Sequence, residues 1–154
     1  MSRTVLITGA TKWIGLALSH RLAARGDTVV GLAHAIVTDF PGTVAEVDLA
    51  DAGAAQEGLS RLMAAHAVDA VVNDVGLVRP QALGSVALDD LADVLDLNLR
   101  TAVQTVQAAL PSMRERGWGR IVNIASLTVL GVPERTAYAG RQGGAHQLHS
   151  RLGT

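Results

Sequence analysis

From one end to the other the chain alternates between two hydrophobic rhythms, and this alternation limits its fold more than any other feature. Thr4–Thr8 is an unbroken apolar, β-branched run of strand length that opens directly into the turn Gly9-Ala10-Thr11-Lys12-Trp13. Across residues 14–25 apolar side chains recur at helical spacing, and Gly26 follows as a C-terminal stop. The buried-strand pattern returns at 28–33, more weakly at 43–47 behind the breakers Pro41 and Gly42, and again at 68–73 and 120–125. Helical patterns fill 51–66, about 89–116, and a last segment from Thr136 after a loop carrying Gly131 and Pro133. Pro111 is expected to bend the long helix or end it early. Apolar strands separated by crossover helices pair in parallel, because each helix returns the chain to the same edge and covers one face. The expected fold is α/β: a Rossmann-like, doubly wound parallel sheet of about five strands in an α/β/α sandwich. In such sheets ligands bind beyond the carboxyl ends of the strands, where strand order reverses.

A chain of 154 residues supports one compact domain, and 49% hydrophobic against 18% charged residues is enough to build its core. Aromatics are only 3%, so that core is aliphatic. A formal net charge of −1 without a Lys/Arg run speaks against nucleic acid or a membrane surface as partner. Without cysteine there is no disulfide framework, thiolate nucleophile or Cys-type zinc site, and no metal site is expected. Apolar stretches stop well short of the roughly 20 residues that span a bilayer, and no signal-peptide pattern follows Met1. A cytoplasmic location is the expectation.

The turn after the first strand carries the most chemistry. Bare N–H groups at a helix N-terminus attract a pyrophosphate, and glycine lets it approach closely because no Cβ intervenes. Gly9 and Gly15 frame such a turn, although G-x-G-x-x-G is absent and two glycines alone are equally consistent with a plain tight connection. The wider context is an ordered set: Thr8-Gly9-Ala10-Thr11-Lys12-Trp13-Ile14-Gly15, Asp48-Leu49, Asn73-Asp74-Val75-Gly76, Asn98, Ile121-Val122-Asn123-Ile124-Ala125-Ser126 and Tyr138. Together these resemble the short-chain dehydrogenase/reductase family, with its T-G-x-x-x-G-x-G turn, an Asp after the third strand, N-N-A-G, a helix Asn, a Ser and Y-x-x-x-K.

The resemblance implies a nicotinamide dinucleotide lying across the strand ends. Gly9, Thr11, Ile14 and Gly15 would hold the pyrophosphate, Asp48 and Leu49 would meet the adenine, and Asn73 to Gly76 (Asn73, Asp74, Val75 and Gly76) would line the adenosine ribose side. Asp48 could instead cap the helix starting near Asp51. Cofactor choice is read at the end of the second strand, where a carboxylate would accept from the ribose hydroxyls and repel a 2′-phosphate. That position falls at Ala33, followed by His34, and Lys12 lies in the glycine turn, so NADP is favoured over NAD. The family chemistry interconverts a ketone and a secondary alcohol, with Tyr138 as acid/base, Ser126 anchoring the substrate oxygen and Asn98 supporting a proton relay.

Three departures qualify that assignment. Gln142 stands four residues after Tyr138, where the family has Lys. A Lys about 4 Å away at an effective dielectric of about 20 would favour phenolate by up to about 4 kcal/mol; Gln supplies hydrogen bonds without that charge. Trp13 occupies the middle glycine of the phosphate turn, so its indole must point away from a pyrophosphate or obstruct it. The family pattern also continues past position 154 through another strand, a substrate-covering segment and a final strand, so 1–154 is expected to be a single NAD(P)-binding domain without them. The two long helices, 89–116 and the one from 136, resemble the family's paired-helix dimer surface and point to a homo-oligomer. The alternative expectation is a non-catalytic or truncated relative that keeps the fold with weak or no nucleotide binding.

Overall fold

In the computed structural model, residues 2–126 are described. Five strands, β1 (Thr4–Thr8), β2 (Thr28–Ala33), β3 (Thr43–Glu46), β4 (Ala70–Asn73) and β5 (Arg120–Asn123), form one sheet in the order β3-β2-β1-β4-β5. All four pairings are parallel, as the alternation demands. The register sets Thr8 beside both Leu32 and Asn73, so the ends of β1, β2 and β4 finish at one level.

The side chains of β1 alternate between two separate cores, which is why the whole run is apolar. Leu6 joins Val30, Leu32 and Val71 beneath α2 (Ala52–Ala65) and α4 (Thr101–Glu115), with Leu59, Leu62 and Met113 closing that layer. Val5 and Ile7 face the other way, against Leu22 of α1 (Trp13–Ala24), Val29 and Val72. The core is aliphatic throughout, in line with the composition.

Local chemistry sets the element ends. Asp51 caps α2, its Oδ1 accepting from the N–H groups of Gly53 and Ala54 at 2.8 and 3.0 Å. The expected helix at 89–116 is present without a gap, but it is not α-helical throughout. It is α3 (Leu88–Leu95), a π-helical turn over Asp96–Arg100, and α4. Pro111 is not the break: α4 runs through it to Glu115. The loop and helix expected beyond residue 126 lie outside the described residues, and with them Tyr138 and Gln142.

Candidate functional site: a cleft at the switch point of the sheet

Strand order reverses between β1 and β4, and a cleft of about 630 Å³ opens beyond their carboxyl ends. That size lies within the roughly 300–1,000 Å³ of small-molecule sites.

Its first wall is the glycine turn. Gly9 has φ +71, and a Cβ there would stand 3.1 Å from the Val75 backbone nitrogen. A Cβ on Gly15 would run into the Gly9 carbonyl oxygen, so α1 starts hard against the end of β1. Thr11 is buried, while Lys12, Trp13 and Ile14 are exposed along the same wall. Trp13 is 87% exposed with φ +43, so its indole stands in solvent at the lip of the cleft. Among the described residues it is the one non-glycine residue in the left-handed region. Close packing of β1, α1 and the turn after β4 therefore demands glycine at 9 and 15, and it sets the start of α1 at the end of the cleft, where helix N–H groups suit a pyrophosphate.

The second wall comes from the ends of β2 and β3. Ala33 is buried, and the exposed His34 and Ala35 follow it, so this rim carries no carboxylate at the end of β2. Asp48 is exposed and its Oδ1 accepts from the Ala50 N–H at 3.0 Å. Because Asp51 does the capping, Asp48 is a rim residue of the cleft and not the helix cap. Leu49 is buried below it.

Behind that rim Arg100 ties the wall to the π turn. One guanidinium nitrogen donates to the carbonyls of Leu49 and Ala50 at 2.9 and 3.1 Å, and the group also grips Asp96 at 2.6 and 2.7 Å and Gln104 at 2.6 Å. The hydrogen bonds from Arg100, reinforced by its positive charge, hold the Asp96 carboxyl below the usual aspartate range. Thr101 and Gln104 add bonds to the Leu49 and Ala52 carbonyls.

The third wall follows β4. The Asn73 side chain is buried, donating to Asn123 Oδ1 at 2.8 Å, so it ties β4 to β5 behind the cleft. Asp74, Val75 and Gly76 line the cleft itself. Thr8 Oγ1 accepts from the N–H groups of Asp74 and Val75 at 3.2 and 3.3 Å, fastening the β4 turn to the end of β1. Desolvation pushes the Asp74 carboxyl above the usual aspartate range, opposed by a hydrogen bond from the Gly15 backbone N–H. Asn98, carried by the π turn, is buried; its amide oxygen accepts from the Leu77 N–H at 2.6 Å and its amide nitrogen donates to the Leu77 carbonyl at 2.8 Å. At the far end Ile124, Ala125 and Ser126 close the cleft after β5.

One cleft therefore gathers the glycine turn, the β2 and β3 rims, Val75, Gly76 and Ser126, with Asn73 and Asn98 buried behind its walls. Two contributors were not assigned a role from sequence: Thr8 and Arg100. The Asp96/Arg100 spacing of four on a helix was a usable signal for an ion pair. Nothing local marks the reach of Arg100 to position 49 or of Asp74 to α1.

Fold and site together define a doubly wound α/β protein with a ligand cleft at its topological switch point. A family profile described as short chain dehydrogenase matches residues 3–154, and the chain belongs to that oxidoreductase family. It is 29% identical to D-beta-hydroxybutyrate dehydrogenase of Rhizobium meliloti over 94% of this chain and 62% of the relative. It is 32% identical to 2-(R)-hydroxypropyl-CoM dehydrogenase of Xanthobacter autotrophicus over 96% and 66%. Among solved structures, a 3-oxoacyl (acyl-carrier-protein) reductase from Agrobacterium tumefaciens with NADP bound superposes with TM-score 0.83 at 32% identity, over 95% of this chain and 61% of that one. A short-chain dehydrogenase from Streptomyces avermitilis gives 0.87 at 27% identity, over 96% and 58%. The chain thus spans about three fifths of the length of these relatives.

Proposed function

We propose that this chain takes part in the NADP(H)- or NAD(H)-dependent interconversion of a ketone and a secondary alcohol. The observation that carries the reading is the cleft itself, with the turn from Gly9 to Ile14 at one end and Ser126, a hydroxyl-bearing residue, at the other. When bound, the dinucleotide supplies or accepts the hydride. The chain's own residues do the rest: Gly9, Thr11 and Ile14 hold the pyrophosphate and Asp48 and Leu49 meet the adenine. Ser126 anchors the substrate oxygen, and Tyr138 gives that oxygen its proton on reduction or takes it on oxidation. Gln142 offers hydrogen bonds without the positive charge of the family's Lys, so turnover is slow. Asn98 acts from behind the wall, keeping the Leu77 segment in place. The names of the relatives, built on hydroxy and oxo compounds, support a ketone/alcohol pair as the substrate class. The absence of a carboxylate at Ala33-His34-Ala35, with Lys12 across the cleft, favours NADP(H). Pairing of two copies through the 88–115 helical run and the segment from 136 belongs to the same reading.

A second reading, a non-catalytic relative with weak nucleotide binding, draws on Trp13 and Asp74 at the phosphate turn. Titration of NADPH and NADH by calorimetry against wild type and Trp13→Gly separates the two. Binding that tightens in the variant, with slow ketone-dependent NADPH oxidation abolished by Tyr138→Phe, supports the enzyme. Heat of binding from neither cofactor with either protein rejects it.

A further inference from the structure

Helix α1 does not cap itself. Its N-cap residue Lys12 makes no side-chain cap hydrogen bond, and no acidic residue lies in its first turn. An uncapped helix N-terminus is a partial positive charge that attracts an anion. Here the anion comes from another part of the chain. The carboxylate of Asp74, in the turn after β4, reaches the first turn of α1 beside the Gly15 N–H, which favours its charged form. Three features hold Asp74 there. β4 pairs with β1 so that Thr8 faces Asn73, Thr8 Oγ1 accepts from the Asp74 and Val75 N–H groups, and Gly9 presses on the Val75 backbone. The geometry leaves no space behind: Asp74 Oδ2 is 3.0 Å from the point a Cβ on residue 15 would occupy. The same carboxylate lines the cleft.

We propose that Asp74 is a built-in counter-anion for α1 that competes with the pyrophosphate of a dinucleotide, so that binding at this cleft requires the carboxyl to take up a proton. The proposal rests on the dinucleotide reading above and adds a proton linkage to it. Ionised, Asp74 places a negative charge between the first turn of α1 and the cleft, where it repels the charge of an incoming phosphate. Protonated by solvent, it keeps its carbonyl oxygen for the Gly15 N–H and turns its O–H toward the anion. An asparagine offers the same pair, an acceptor oxygen and a donor N–H, at every pH. Partial burial already disfavours the ionised form before any ligand arrives. Among the described residues the other charged or titratable side chains facing the cleft are Lys12 from the glycine turn, His34 after β2 and Asp48 after β3. All three are common to wild type and Asp74→Asn, so the difference between the two proteins isolates Asp74.

NADH is the probe, because it carries the pyrophosphate without the 2′-phosphate, whose own titration near pH 6 would interfere. Calorimetric titrations from pH 5.5 to 8.5, in buffers of different ionisation enthalpy, give both affinity and protons taken up. Wild type should bind more weakly as pH rises, with net proton uptake. Asp74→Asn should bind at least tenfold tighter at pH 8, about 1.4 kcal/mol, with that uptake lost. Binding by the variant where wild type shows none supports the proposal equally. Equal affinity and equal proton uptake in the two proteins overturns it while leaving the dinucleotide reading intact; no binding by either protein at any pH of NADH, or of NADPH titrated alongside it, removes both. A wild-type measurement guards against a variant that misfolds: the ¹³C resonance of the Asp74 carboxyl should titrate at higher pH with saturating NADH than without. An unchanged titration contradicts the proposal.

Discussion

At Trp13 the backbone carries a strain that its side chain cannot offset. With φ +43 an L-residue brings its Cβ against the chain, at a cost of about 1–2 kcal/mol, and an indole 87% exposed gains little packing in return. Glycine relieves the clash, although it gives back part of the gain in unfolded-state entropy. Trp13→Gly should therefore raise stability by up to about 1 kcal/mol, seen as a Tm increase of about 2–4 °C by calorimetry. A lower Tm would show that the indole contributes packing. Strain kept at a ligand turn is a pointer to function, and the sequence exposed this one because a tryptophan stands where the resemblance calls for glycine. It could not show which way the indole points. Asp74 was legible in the same incomplete way, as one residue of the segment expected to line the ribose side, while its approach to the start of α1 appears only in the fold.

Among the elements, β1 and β2 end where the apolar runs end, and Asp51 supplies the cap that the start of α2 needs. Such features are local, so they are readable. The π turn at Asp96–Arg100 is different. It widens one turn within an otherwise α-helical run, and its bonds reach positions distant in sequence: Asn98 to Leu77 on one side, Arg100 to Leu49 and Ala50 on the other. The turn thus staples the β3 rim and the segment after β4 into one frame, a role for which hydrophobic periodicity carries no information. Arg100→Ala should lose about 2 kcal/mol in urea unfolding at neutral pH, mostly from the charged bonds to backbone carbonyls. Arg100→Lys should recover only part, since an ammonium lacks the planar fork. The pH dependence has a definite sign. Arg100 lowers the Asp96 carboxyl in the folded state, so this contribution is present above the ordinary aspartate value of 3.8 and fades as pH falls through the folded value. The gap between wild type and Arg100→Ala should narrow in acid. A gap that widens there would contradict the assignment.

For the molecule as a whole, the order β3-β2-β1-β4-β5 explains why residues spread from Gly9 to Ser126 share one cleft. Parallel pairing ends the strands on one side, and reversal of the winding between β1 and β4 leaves that side open. The alternation of strand and helix was enough to expect this architecture, and the ordered motifs to expect the family. The most direct test is an amide-resolved NMR titration of the ¹⁵N-labelled chain with ADP-ribose, the half of the dinucleotide that meets the glycine turn and the β3 rim. The account predicts saturable shifts at Gly9, Gly15, Asp48, Leu49 and Gly76, with the Arg3, Trp118 and Arg120 amides at the opposite ends of the strands unmoved. Saturation at those opposite-end residues, or no shift at the glycine turn at millimolar ligand, would contradict it.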